Sequence, residues 1–227
     1  MIQKLKEYCY RRFRTSFSKS GEDVMLYQLL KNTTHKFYID IGAHDPRIHS
    51  NSYFFYLRGW NGICIDPNSS FLKEWRNWRP NDHFLNIGIS SKDSSEDYFI
   101  LKDSVRNTFS KDYIKEFGLE KDVIETKRVQ TKPLGKVLSD LNLLDKPIGF
   151  LSIDCEGLDL EVLKSNNWIN FRPELVLFET FGSLKEDFES SSVSFLEANG
   201  YEFIGKSIQY NSGHDTIGSL LFKTKEI

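Results

Sequence analysis

Short runs of consecutive apolar residues alternate along the chain with longer stretches whose apolar positions recur at helical spacing. The first run is Phe37-Tyr38-Ile39-Asp40-Ile41, followed by a glycine turn and a helix-like stretch over 52–58. The second is Gly62-Ile63-Cys64-Ile65-Asp66, followed by another over 70–77. This opening predicts parallel strands covered by helices. Residues 83–89 read as one further strand and 98–101 as another, whereas 102–130 is irregular, the kind of insertion that carries substrate contacts. Beyond it the pattern predicts a helix over 133–143, a buried strand at Phe150-Leu151-Ser152-Ile153-Asp154, a helix over 158–165 and a strand over 174–179. A helix over 191–199 stops at Gly200, and strands over 201–208 and 218–224 form a natural antiparallel pair. About seven principal strands result, in an α/β fold.

Composition narrows this picture. A chain of 227 residues with 39% hydrophobic and 14% aromatic residues buries one sizeable core, so residues 1–227 are expected to form one domain with a helical leader over 1–35. Lysine plus arginine (30) nearly balance aspartate plus glutamate (32), so no overall field favours nucleic acid or an anionic membrane. Cys9, Cys64 and Cys155 are far apart, which suits reduced thiols rather than disulfides or a zinc ribbon. With no signal-like or membrane-spanning apolar run, the expected location is the cytoplasm. The cluster Arg11, Arg12, Arg14 beside Tyr8, Tyr10 and Phe13 reads as a solvated helix face. Trp60 and Trp168 read as core residues, Trp75 and Trp78 as surface packing.

Asp40, Asp66, Asp154 and Glu179 each stand at or near the end of an apolar run. In a doubly wound sheet, ligands bind outside those carboxyl ends. The plainer reading is that such acids cap the following helices. The turn Gly42-Ala43-His44-Asp45-Pro46 has one glycine where a dinucleotide site needs G-x-G-x-x-G, and no G-x-x-x-x-G-K-[ST] loop exists. The site is therefore unsuited to pyrophosphate, and acids around a glycine turn suit a cofactor bearing an ammonium and a sulfonium. From the end of the second strand, Asp66 can accept both hydroxyls of an adenosine ribose.

Four stretches resemble the FkbM-type S-adenosylmethionine-dependent methyltransferases: Ser18-Lys19-Ser20-Gly21-Glu22-Asp23, 38–45, 59–68, and Leu151-Ser152-Ile153-Asp154-Cys155-Glu156-Gly157 running on to Val162-Leu163. The resemblance implies a Rossmann-like class I fold with a seven-stranded, mostly parallel sheet, an antiparallel closing strand and helices on both faces. It implies S-adenosylmethionine as cofactor, with its methionine part near Asp40, Gly42, Ala43 and His44. The ribose would lie at Asp66, Pro67 and Asn68, and the adenine beside Asn86 and Ile87, with Ser18, Glu22 and Asp154 also in the cofactor site. It further implies transfer to a hydroxyl oxygen, commonly on a sugar of a bacterial polysaccharide, glycolipid or secondary metabolite. The chain departs from the family pattern at Lys19, where glutamine is usual, and at Gly218-Ser219.

A sugar hydroxyl is very weakly acidic, so its methylation needs a general base or a divalent cation such as magnesium. Asp154 and Glu156 are the leading candidates for base or metal ligand, followed by Glu179 and by His214 in the late loop. Arg106, Asn107 and Thr108 are candidates for binding acceptor hydroxyls, or else for a helix cap. The expected partner is a small-molecule or glycan acceptor, not nucleic acid; a homodimer is compatible. Two rivals stand beside this reading: a phosphoesterase or phosphotransferase holding magnesium on Asp40, Asp66, Asp154 and Glu156, and a nucleotide-binding module without chemistry.

Overall fold

The computed structural model describes residues 15–143, 146–209 and 217–225. In chain order the principal elements are α1 (Glu22–Leu30), β1 (Phe37–Ile41), α2 (Tyr53–Tyr56), β2 (Asn61–Ile65), α3 (Leu72–Trp78), β3 (His83–Leu85), β4 (Gly88–Ile89) and β5 (Ser94–Leu101). There follow α4 (Lys111–Glu116), β6 (Val123–Lys132), α5 (Leu134–Asp140), β7 (Phe150–Ile153), α6 (Asp159–Ser165), β8 (Leu175–Thr180), α7 (Leu184–Phe188), α8 (Ser191–Ala198), β9 (Tyr201–Ile208) and β10 (Gly218–Thr224). Seven strands make one sheet in the order β3-β2-β1-β7-β8-β10-β9. Its first five strands are parallel, and β10 runs antiparallel to both β8 and β9.

Alternation along the central strands assigns their side chains to two cores. Ile39, Ile41, Ile63, Ile65, Leu151, Ile153, Val176 and Phe178 pack on one face against α5, α6 and α8. Tyr38, Cys64, Phe150, Leu175 and Leu177 pack on the other against Leu26 and Leu30 of α1, Phe54 and Phe55 of α2, and Trp75 of α3. Because both faces are covered, β1 is buried at all five positions and reads as one apolar run. Each such aliphatic or aromatic side chain contributes about 1.5–3 kcal/mol by leaving water.

Three expectations are corrected. Residues 83–89 are two strands: the chain turns at Asn86, whose side-chain amide donates to the Asp66 carbonyl at 2.8 Å, and β4 then enters a second sheet of order β4-β6-β5. The irregular insertion contains the ten-residue strand β6, antiparallel to β5. Most of its side chains are solvated on both faces, so Glu125, Lys127 and Arg128 interrupt any apolar signal. Trp75 is buried rather than superficial, stacked on Phe84 at 4.8 Å with the Arg79 guanidinium 4.4 Å above its ring, while Trp78 is 45% exposed.

Candidate active site

A cleft lined by Ile41, Gly42, Ile65, Asp66, Asp154 and Glu156 lies at the carboxyl ends of β1, β2 and β7, where ligands bind in open α/β sheets. The chain leaving β1 bends across the end of β2, with the Gly42 and Ala43 amides donating to the Ile65 carbonyl at 2.9 and 3.2 Å. Gly42 has φ 77°, and a β-carbon there would overlap the carbonyl oxygen of Asp154. Only glycine meets both conditions. Next in the turn, His44 adopts φ 42°, a left-handed conformation uncommon outside glycine and costly enough to cluster at functional sites. Its amide donates to Asp66 Oδ2 at 2.9 Å, and Asp66 Oδ1 accepts from the Asn68 amide at 2.7 Å. Asp66 thereby joins the two turns while facing the cleft, and burial pushes its carboxyl pKa up to about 6. The His44 ring lines the cleft and meets Ser104 Oγ at 3.0 Å; burial lowers its pKa.

Other candidates hold the frame. The Asp40 carboxylate accepts from Ser52 Oγ and is not among the residues that line the cleft. Ser52 in turn accepts from the fully buried Arg79 at 2.8 Å, and Arg79 pairs with Asp82 at 2.6 Å. Burial raises the Asp40 pKa to about 6. Ala43 belongs to the core beneath α1, and Asn68 caps the following turn by accepting from the Ser70 amide at 3.1 Å. Pro67 and Ile87 line the cleft. Ser18 donates to Asp23 at 3.1 Å, and Glu22 accepts from Ser207 Oγ of β9 at 2.8 Å. These bonds fix the segment that carries Lys19.

The strand ends of β7 and β8 bring Asp154, Glu156 and Glu179 together, with one carboxylate oxygen from each within 4.8 Å of the others. Like charges this close repel by roughly 3 kcal/mol per pair at an effective dielectric of about 20. Burial, and next the Asp154 charge, raises the Glu156 pKa to about 7. The same two causes push Glu179 well above the carboxylate range, and its Oε2 is buried without a hydrogen-bond partner. Lys19 Nζ lies 4.0 Å from both Asp154 Oδ2 and Glu179 Oε1. Asp154 above all, then Glu179, raises the Lys19 pKa against the opposing effect of burial. Three carboxylates are the hard oxygen donors that magnesium or manganese prefers, but here an ammonium stands beside them.

The insertion covers this cluster. Thr108 Oγ1 donates to the Glu156 carbonyl at 2.9 Å, and the Tyr113 hydroxyl lies close enough to the Glu156 carboxylate to favour its ionised form against burial. Glu156 itself has φ 48°. Asn107 lines the cleft, whereas Arg106 lies over the rings of Tyr113 and Phe117 at 5.8 and 5.6 Å. His214 lies outside the described residues. Sequence reasoning missed Lys19, Tyr98, Ser104 and Tyr113 as members of the site; Lys19 carried a visible signal, its departure from the family pattern.

A seven-stranded sheet of this order, with its cleft at the carboxyl ends of β1, β2 and β7, defines the class I methyltransferase fold. Residues 40–203 match the model of the methyltransferase FkbM domain, and the chain belongs to that family. Among solved structures, 1,6-didemethyltoxoflavin-N1-methyltransferase of Burkholderia thailandensis, with 1,6-didemethyltoxoflavin and S-adenosylhomocysteine bound, is similar over 96% of this chain and 84% of its own. Its TM-score is 0.50 at 9% identity. The fibrillarin pre-rRNA processing protein of Methanococcus jannaschii is similar over 92% of this chain and 78% of its own, with TM-score 0.50 and 9% identity. At such identities the likeness is one of fold. No curated protein matches the sequence. Among the described residues no helix is long and apolar enough to cross a membrane.

Proposed function

We propose that this methyltransferase uses S-adenosylmethionine to methylate a hydroxyl oxygen, on a sugar of a polysaccharide, glycolipid or secondary metabolite. The observation that carries this reading is the joining, in one cleft, of the Gly42 and Asp66 turns with Glu156, a buried carboxyl whose pKa is about 7. A general base is most useful when its pKa lies near the working pH, and a hydroxyl acceptor needs one. The cofactor, when bound, supplies an electrophilic methyl on a sulfonium. Asp66 would accept the ribose hydroxyls, and the Ile65, Ile87 and Ile89 side chains that line the cleft offer an apolar bed for the adenine. Asp154 and Glu156, facing the cleft, place negative charge near the sulfonium. Glu156 would take the hydroxyl proton, held by Thr108 from its carbonyl side and by Tyr113 from its carboxylate.

Titration calorimetry with S-adenosylmethionine, S-adenosylhomocysteine, NAD and ATP, with and without magnesium, tests the cofactor. Binding confined to the two sulfur nucleosides is expected; binding of ATP with magnesium alone would replace this reading with phosphoryl transfer. Transfer of a labelled methyl group to a panel of sugars and sugar nucleotides, against amine acceptors of matched shape, tests the acceptor. Methylation of amines alone would overturn the hydroxyl assignment.

A further inference from the structure

We propose that Lys19 is the resident cation of the carboxylate cluster, its ammonium standing where a divalent ion would otherwise bind, so that the site works without metal. The inference rests on reading this cluster as the acceptor end of the active site.

Asp154, Glu156 and Glu179 present only oxygen donors, a set that draws a hard cation when nothing else neutralises it. The Glu179 side chain is 3% exposed, and its Oε2 has no hydrogen-bond partner. A buried carboxylate oxygen left unbonded is costly and is normally met by a donor or an ion. Lys19 Nζ is the cation beside the cluster, 4.0 Å from Asp154 Oδ2 and 4.0 Å from Oε1 of the same Glu179 carboxyl, with its side chain 27% exposed.

Both flanks of Lys19 are tied. Asp23, on its C-terminal side, accepts from Ser16 and Ser18 at 2.7 and 3.1 Å, and from the Phe17 amide at 2.7 Å. Glu22 is bonded to Ser207, which also accepts from the Ser219 amide at 3.1 Å. The backbone that presents the ammonium is thus docked on the closing strands. An ammonium supplies one positive charge and three donors on a movable stem. It can offset the charge of the cluster and donate to an acceptor oxygen, yet it offers no vacant coordination position. A divalent ion entering the cluster would have to displace it against repulsion.

Manganese binding, followed by electron paramagnetic resonance on the full chain, reads this directly. The wild type is expected to leave added manganese free in solution, and its turnover to be unaffected by EDTA. Lys19→Met, which keeps the stem's bulk, and Lys19→Gln should each bind manganese at least roughly tenfold more tightly, as three uncompensated carboxylates do. Adding Glu179→Gln to Lys19→Met should abolish that gain, and Lys19→Arg should exclude the ion as the wild type does. Manganese held by the wild type as tightly as by Lys19→Met would overturn the proposal, as would variants that still bind S-adenosylhomocysteine but gain no affinity for manganese. A wild type that fails to bind S-adenosylhomocysteine would instead strike at the cofactor reading.

Discussion

The Thr108 hydroxyl donates to the backbone carbonyl of Glu156 at 2.9 Å, across 48 residues of sequence. Thr108 is 1% exposed and Glu156 6%, so no water competes for that carbonyl, and the bond helps to hold Glu156 at φ 48°. Thr108→Val keeps the shape and leaves the carbonyl unbonded, a cost of about 1–3 kcal/mol. The expected result is a kcat reduced by roughly tenfold or more, with affinity for S-adenosylhomocysteine unchanged. Equal losses in both would show a general effect on folding instead.

Asp66→Ala removes a side chain that joins the Gly42 and Asp66 turns, together with the carboxylate proposed to receive the ribose. Losing one or two hydrogen bonds to a charged group, at about 1.5–3 kcal/mol each, should weaken S-adenosylhomocysteine binding by on the order of 100-fold. Calorimetry on protein of native circular dichroism reads the change. Full affinity in the variant would refute the assignment.

Glu156→Gln is expected to abolish turnover and to stabilise the protein without ligand at alkaline pH. A carboxyl raised from 4.5 to about 7 binds its proton more tightly when folded. Stability therefore falls as pH rises from the unfolded pKa through the folded one, and the deficit is complete above pH about 7. A shift of this size, already net of the opposing Tyr113 and Lys19 contributions, corresponds to ~3 kcal/mol. Melting curves should place the variant several degrees above wild type at pH 8 and converge near pH 4. In the wild type, kcat should rise with pH through about 7 as the base ionises; a flat profile there would exclude Glu156.

Gly42→Ala should be among the most damaging single-atom changes in the chain. The added carbon meets the Asp154 carbonyl at a position of φ 77°, so the turn must open or the end of β7 must move. A loss of more than about 2 kcal/mol in urea unfolding is expected, with S-adenosylhomocysteine binding lost as well.

Arg79→Met leaves Asp82 buried beside Tyr38 with its charge uncompensated. Removal of one partner of a buried pair costs about 3–5 kcal/mol. Because Arg79 also holds Ser52, the donor to Asp40, the loss should appear in denaturant midpoints well before any acceptor is added. A midpoint unchanged within error would show that the network carries no stability.

The parallel sheet was legible because β1, β2, β7 and β8 are buried on both faces and announce themselves as apolar runs. Gly42 and Asp66 were legible for the same reason: their place follows from where a strand ends, which is a local matter. Asp40 ends the same kind of strand, but strand alternation turns its carboxylate toward Ser52, and the burial of Arg79 that explains this is a tertiary fact. Trp75 escaped notice likewise, since a seven-residue helix with arginine and asparagine near its end gives no sign that Phe84 will cover it. β6 was hidden by its own charges. Tyr113 and Lys19 reach the cluster from segments far apart in sequence, and only the folded chain shows that they meet on Glu156 and Glu179.

Entry to and exit from the segment 90–130, which includes the insertion, stand side by side, because Gly88 pairs with Thr131 and Ile89 with Lys132. The intervening chain is a loop with a closed neck, fastened to the seven-stranded sheet again where Thr108 bonds the Glu156 carbonyl. Such a segment can be lengthened, shortened or exchanged while the strands that bear Gly42 and Asp66 keep their register. On the proposed function, exchanging this segment at its neck between related chains is expected to change acceptor preference more than cofactor affinity, which methyl transfer by the chimaeras measures.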